Sequence, residues 1–161
     1  YLLTPATVCL AVPLYEQLEL LKKNKVAVVC GILSGTLASL TGIFVLCMLF
    51  GFNHQQYVTM LPKSITTAIG ISEELGGIVT ITVAVIIITG ILGNVIADTV
   101  FHIFKIKNPL AKGLALGTAS HAIGTARAIE MGPVEGAMSS LAVAVAGLLT
   151  VVFVSGFAQL I

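Results

Sequence analysis

Directly after Pro62 come Lys63, Ser64, Thr66 and Thr67, a cation beside three hydroxyl donors at what reads as a helix start. Free backbone N–H groups and the helix dipole favour an anion at such a place, so these side chains describe an anion pocket. A second group lies farther along the chain. On a helix, Thr118, His121 and Thr125 fall at i, i+3 and i+7 on one face, while Ser120, Gly124 and Arg127 share the neighbouring one. Arg127 stands among apolar residues, where an ionisable group is costly and by default functional. The plainer alternative is that it pairs with Glu130 at i+3. Binding of a small carboxylate suits this set: Arg127 would offer a forked pair of hydrogen bonds, Lys63 a point charge, and Thr66, Thr67 and Ser120 would orient the rest. His121 has an ordinary pKa near about 6.5 and can change charge in the physiological range. Beside Arg127 its protonated form is disfavoured until a carboxylate arrives, which makes a proton the expected coupling ion. The alternative is a neutral His121 that only hydrogen-bonds Thr118 or Thr125.

The composition says where such a site must sit. Of 161 residues, 57% are apolar and 9% charged, against about 25% charged in a soluble domain. With a mean hydropathy of +1.08, the chain cannot clothe a surface in water, and the lipid bilayer is its solvent. A net charge of +1 excludes the basic excess with which a nucleic-acid binder neutralises phosphates.

Residues 26 to 50, 78 to 101 and 137 to 161 each read as one helix able to span a bilayer core, for which about 20 apolar residues suffice. Three further apolar stretches are broken. Leu2 to Gln17 carries Pro5 and Pro13; Met60 to Gly77 mixes Pro62, Lys63, hydroxyls and the Glu73/Glu74 pair; residues 113 to 132 hold His121, Arg127, Glu130 and four glycines. Irregular or polar backbone survives in hydrocarbon only where protein covers it or where it lines a watery cavity, so these segments should meet in the interior. A broken segment, a charged turn and a small-residue span recur around 2 to 50, 60 to 101 and 113 to 161, as in secondary transporters that build a midplane site from broken helices.

Charge bias constrains the path. Lys22, Lys23 and Lys25 form one cluster and Lys105, Lys107 and Lys112 another, both cytoplasmic by the positive-inside rule. An even number of crossings must separate them. The spans at 26 to 50 and 78 to 101 already supply two, so Met60 to Gly77 should dip in and return. Asn94 and Asp98, at i and i+4, are either a polar seam or a helix nearing the cytoplasmic side, and the second is preferred. Gly31, Gly35, Ala38, Ser39 and Gly42, with Ala142 and Ala146, form small-residue faces that let helices approach closely and suit a homodimer.

Other chemistries find little support. Adjacent Ser120 and His121 diverge by about 100° on a helix, and neither a G-x-S-x-G elbow nor an H-E-x-x-H motif occurs, so no catalysis is expected. His54, His102 and His121 are too scattered for a metal set, and Cys9, Cys30 and Cys47 lie apart in apolar stretches as small hydrophobes. Neither a metal nor a cofactor is expected.

The strings LLTPATVCLAVPLYEQ (2 to 17), LPKSITTAIGISEELGG (61 to 77) and GLALGTASHAIGTARAIEMGPVEGAMSSLA (113 to 142) closely resemble the LrgB/CidB family of membrane proteins over essentially the whole chain. The family includes the antiholin-like LrgB proteins, the CidB proteins and the C-terminal half of the plastid glycolate/glycerate translocator. The resemblance implies an all-α polytopic bundle with broken or re-entrant helices, forming one domain in a bacterial cell membrane. It also implies about 70 further N-terminal residues, enough for two spans of about 20 residues plus loops. Where relatives tend to read KSVTTP, this chain has Ala68 in place of the proline, so a softer break is expected there. For function the resemblance offers two readings. One is a carrier of small monocarboxylates such as pyruvate, glycolate or glycerate. The other is an antiholin-like modulator of murein hydrolase activity and autolysis; a small LrgA/CidA-like membrane protein is the expected partner. Buried hydroxyls and charges favour the carrier, because a lesion former needs no anion site.

Overall fold

A computed structural model describes residues 12, 15–64 and 72–158, and over these the chain is an all-α membrane protein. The expected breaks at Pro5 and Pro13, and Ala68, lie outside the described residues. A short helix α1 (Leu18–Lys23) leads into α2 (Lys25–Phe50); α3 (His54–Met60) runs on into a 3-10 turn (Leu61–Ser64); α4 (Val79–Ile103), α5 (Pro109–Met131) and α6 (Pro133–Phe157) complete the fold. Among the described residues, three helices are long and apolar enough to cross a membrane: Lys25–Phe50, Val79–Ile103 and the stretch Pro133–Val154 of α6. These are the three spans read from the sequence, the last starting four residues earlier because Pro133 is already in the first turn of α6, where its missing N–H costs nothing.

Local chemistry sets the ends. Gly51, at φ 64°, stops α2, with the Gly51 and Phe52 amides donating back to Met48 O and Cys47 O. Asn53 and Gln56 then cap α3 reciprocally. At the end of α4 the left-handed position falls to Lys105, at φ 53°, and the Ile106 amide donates to Phe101 O. Asn108 accepts from the Leu110 amide and opens α5, with Pro109 in its first turn.

The least lipophilic long helix, α5, sits in the middle and packs on α6, α4 and α2. Its register against them reveals an unexpected path. In its outgoing half, Leu114 and Thr118 meet Gly31 and Gly35, so it runs parallel to α2. On α4, Lys112 lies over the Phe101 ring and Ser120 against Gly93, an antiparallel pairing. Past His121 the sense inverts. Ile123 lies on Gly90 and Arg127 reaches Asp98, parallel to α4, while Thr125 bonds Ser139 and Ile129 abuts Gly136, antiparallel to α6. The chain therefore enters the bundle, reverses at His121 about halfway along α4, and returns to the end from which it came. A Cβ on Gly124 would stand 2.7 Å from Leu116 O and 2.6 Å from Ser120 Cβ; only a glycine lets the returning half lie against the outgoing one.

The stretch between α3 and α4 also returns. The Ile78 amide donates to Thr59 Oγ1 (2.8 Å), Thr82 Oγ1 donates to Thr59 O (2.8 Å), and the Ser72 and Thr82 hydroxyls are joined at 2.8 Å. Both ends of the segment from 60 to 77 are thus tied at one place. This happens at the end of the bundle where Tyr57 donates to Phe157 O and packs with Leu40, Ile43, Cys47 and Val154. The lysine clusters occupy the other end, where Asn24 and Asn108 line one groove.

Backbone contact between α5 and α6 dictates the residue at 117, where a Cβ would meet Ser139 O at 2.4 Å and Ala142 Cβ at 2.7 Å. Gly117→Ala should therefore destabilise the fold by about 1–3 kcal/mol through overpacking. Gly42, with nothing within 4 Å of an added Cβ, is the control: Gly42→Ala should be neutral or stabilising by up to about 1 kcal/mol. Thermal unfolding in detergent measures both, and equal responses would contradict the helix contact described.

Candidate functional site

At the tip of the α5 hairpin, His121 adopts φ 50° and ψ −136°. Such a backbone suits glycine and costs an L-residue about 1–3 kcal/mol. It is held there by enclosure: Thr118, Ser120, His121 and Thr125 are 8%, 1%, 5% and 0% exposed. The reversal would orphan carbonyls in a medium without water. At the reversal itself Thr125 Oγ1 donates to His121 O, and within the outgoing half Thr118 Oγ1 donates back to Leu114 O, each at 2.8 Å.

Reversal also divides the face expected from the spacing. Thr118, His121 and Thr125 do not line one continuous helix. Thr118 faces α2 at Gly35, Ser120 faces α4 at Gly93, and Thr125 faces α6 through Ser139 Oγ at 2.8 Å. These three hydroxyls and His121 instead surround the tip from different sides. Ser139, fully buried, is an addition that the sequence reading missed. The adjacent polar pair Ser139–Ser140, set in an otherwise apolar span, was the available signal.

From the opposite end comes the 3-10 turn Leu61–Ser64, which packs against α2, α4, α6 and α5. Lys63 and Ser64 are its last two residues, and Leu61 and Pro62 before them are buried. Thr66 and Thr67 lie outside the described residues. Two returning segments, one from each end, thus converge near the tip of α5.

Arg127 lies lower, on the returning half. Its guanidinium is bridged by Asp98 Oδ2 at 2.5 Å and Glu130 Oε2 at 2.8 Å, with about a third of its side chain exposed. The plainer alternative, pairing with Glu130, is therefore present, and Asp98 joins it from α4. Arg127 is not at the tip with His121; its Nη1 and Nη2 each donate to a carboxylate. A groove of about 730 Å³ runs between α2 and the outgoing half of α5, from Asn24 and Asn108 past Ser34 to Ser39 and Thr118. It connects the lysine-rich end with the neighbourhood of the tip. Among the described residues no cluster of His, Cys, Asp or Glu is arranged to hold a metal ion.

Comparison with known proteins places this architecture. Residues 1–160 match the LrgB-like family. The chain is 40% identical over 163 residues to the antiholin-like protein LrgB of Bacillus subtilis, covering 100% of this chain and 71% of that protein. To the antiholin-like protein LrgB of Bacillus cereus strain B4264 it is 42% identical over 159 residues, 98% of this chain and 69% of the relative. No solved structure matches.

The strain at position 121 can be read directly. His121→Gly should unfold at a higher temperature than His121→Ala, with a difference of about 1–3 kcal/mol, because both remove the imidazole but only glycine accepts the observed dihedrals. If the alanine variant is the more stable, the chain does not reverse at this residue.

Proposed function

We propose, from the premise that the chain belongs to the LrgB-like family, that it carries small monocarboxylates of the pyruvate, glycolate or glycerate class across a bacterial cell membrane. The observation that carries this reading is the buried, strained tip of α5, reversed at mid-depth in a bundle whose other returning segment, the turn bearing Lys63 and Ser64, also contacts α5. Breaks of this kind at mid-depth are how secondary transporters expose backbone and side-chain donors to a substrate. By the positive-inside rule the lysine-rich end is cytoplasmic. Helices α2, α4 and α6 then cross, the segment from 60 to 77 dips from outside, and α5 dips from inside.

In this mechanism Lys63, Ser64, Thr66 and Thr67 supply the cation and hydroxyls on the outer approach. Thr118, Ser120, His121 and Thr125 receive the substrate at the tip. Arg127 serves the inner approach: a substrate carboxylate takes the place of Asp98 or Glu130 on the guanidinium, and the released side-chain carboxylate, largely exposed, is left to water. Moving an anion inward against a negative interior costs about 2.3 kcal/mol per 100 mV, and a proton taken up with it removes that cost. His121 is the group at the tip able to take it. No catalytic step is needed.

A second reading has its own support, since the relatives named above are called antiholin-like. On that reading the chain modulates murein hydrolase activity and autolysis together with a small LrgA/CidA-like membrane protein. The two are compatible if monocarboxylate flux sets the physiology that precedes lysis.

Liposomes containing the full-length protein, with and without that partner, should take up labelled pyruvate or glycolate faster than empty vesicles. Failure with both acids and both compositions would end the carrier reading. Within active liposomes, His121→Gln keeps hydrogen-bonding capacity but cannot titrate, so uptake should lose its response to an imposed pH gradient. A variant that still concentrates substrate when the outside is acidified would remove His121 as the coupling group.

A further inference from the structure

At the lysine-rich end, the turn from α4 to α5 encloses a cleft of about 440 Å³, lined among others by Asp98, Phe101, His102, Lys105, Lys107 and Lys112. Asp98 is the one acid among the lining residues, and it shares the single charge of Arg127 with Glu130, so that group keeps one net negative charge. Three lysines line the cleft against that one net negative charge, so its surroundings remain cationic. Two of the lysines are positioned by the fold. Lys105 occupies the left-handed stop of α4, fixed by hydrogen bonds that the Lys105 amide donates to His102 O and the Ile106 amide to Phe101 O. Lys112 Nζ rests over the Phe101 ring, 5.8 Å from its centre, a cation–π contact that directs the charge across the cleft.

A second, independent feature continues from it. Ile88, Ile91 and Val95 lead to Asp98 and His102 at steps of three and four residues, so they share one face of α4 with the cleft. These three side chains are 56%, 51% and 72% exposed. A cationic hollow at the foot of an open aliphatic strip matches an amphiphile with an anionic head. We propose that the α4–α5 turn is a binding site for the phosphate of an anionic phospholipid, whose acyl chain lies along Ile88, Ile91 and Val95. Phosphate oxygens accept from several ammonium groups at once, and basic pockets at the cytoplasmic ends of helices hold anionic head groups in this way. The other lysine cluster differs in its surroundings: Lys23 shares its hollow with Glu16 and Glu19. An excess of lysine at one end of the protein therefore does not by itself make such a site.

Titration of the full chain in neutral detergent with phosphatidylglycerol or phosphatidylcholine, with bound lipid counted by native mass spectrometry, tests the assignment. Phosphatidylglycerol should bind about tenfold more tightly than phosphatidylcholine, and the combined Lys105→Gln, Lys107→Gln and Lys112→Gln variant should lose that preference. The combined Lys22→Gln, Lys23→Gln and Lys25→Gln variant removes the same charge and should keep it. Single Lys112→Gln, in the first turn of α5, should weaken phosphatidylglycerol binding by a smaller factor and serves if the triple variant does not fold. Equal losses in the two triple variants, or no preference in the parent chain, would overturn the site. Inorganic phosphate at millimolar concentration that fully displaces phosphatidylglycerol would assign the cleft to a soluble phosphate and overturn the lipid.

Discussion

Reversing a backbone in the middle of a membrane protein exposes amides and carbonyls where no water can receive them, at several kcal/mol for each group left unmet. The arrangement around His121 answers that constraint. Helices α2, α4 and α6 pack on the hairpin of α5, the Thr125 hydroxyl bonds the carbonyl of His121 itself, and Gly124 lets the two halves of the hairpin cover one another. Polar side chains that would be a liability on a lipid-facing helix are, in this setting, part of what makes the reversal stable. The same groups are the ones an incoming carboxylate would meet, so the structural solution and the proposed site are built from one set of atoms.

The other returning segment solves the problem differently. Its ends are closed by a small hydroxyl network in which Thr59 both donates to Gln55 O and accepts from the Ile78 amide. Thr82 links Thr59 O to Ser72. Because Thr82 belongs to α4 and Thr59 to α3, this network anchors the excursion to a spanning helix and fixes where the 3-10 turn enters the bundle. Position, rather than charge, is what it contributes to the site.

Much of this was legible in the residues. Length and hydropathy located α2, α4 and α6, and the requirement that two lysine clusters share a side foretold that the segment from 60 to 77 returns. The glycines and polar residues around 121 marked a break. What escaped was its sharpness: the spacing i, i+3, i+7 has meaning only on an unbroken helix, and histidine at 121 lacks the glycine signature that usually advertises a positive φ. Arg127 illustrates the same limit from another side. Its neighbour Glu130 is visible in local spacing, whereas Asp98 lies on another helix, and nothing in the periodicity of either helix encodes their relative height. Ser139 already lies against Gly117 of the outgoing half, and it meets Thr125 only because α5 folds back beside α6.

The glycine contacts have a mechanical consequence. Where Gly113 and Gly117 press on Glu135 O and Ser139 O, no rotatable side chain lies between the two backbones, so α5 and α6 cannot slide past one another by changing rotamers. They form a stiff pair. Against α2, the outgoing half of α5 is separated by the side chains of Leu114 and Thr118 and bordered by the open groove, an interface that can shear with small rotamer changes. Alternation of access at the tip would then be a displacement of the α5–α6 pair relative to α2, with the groove as the gap that widens or closes.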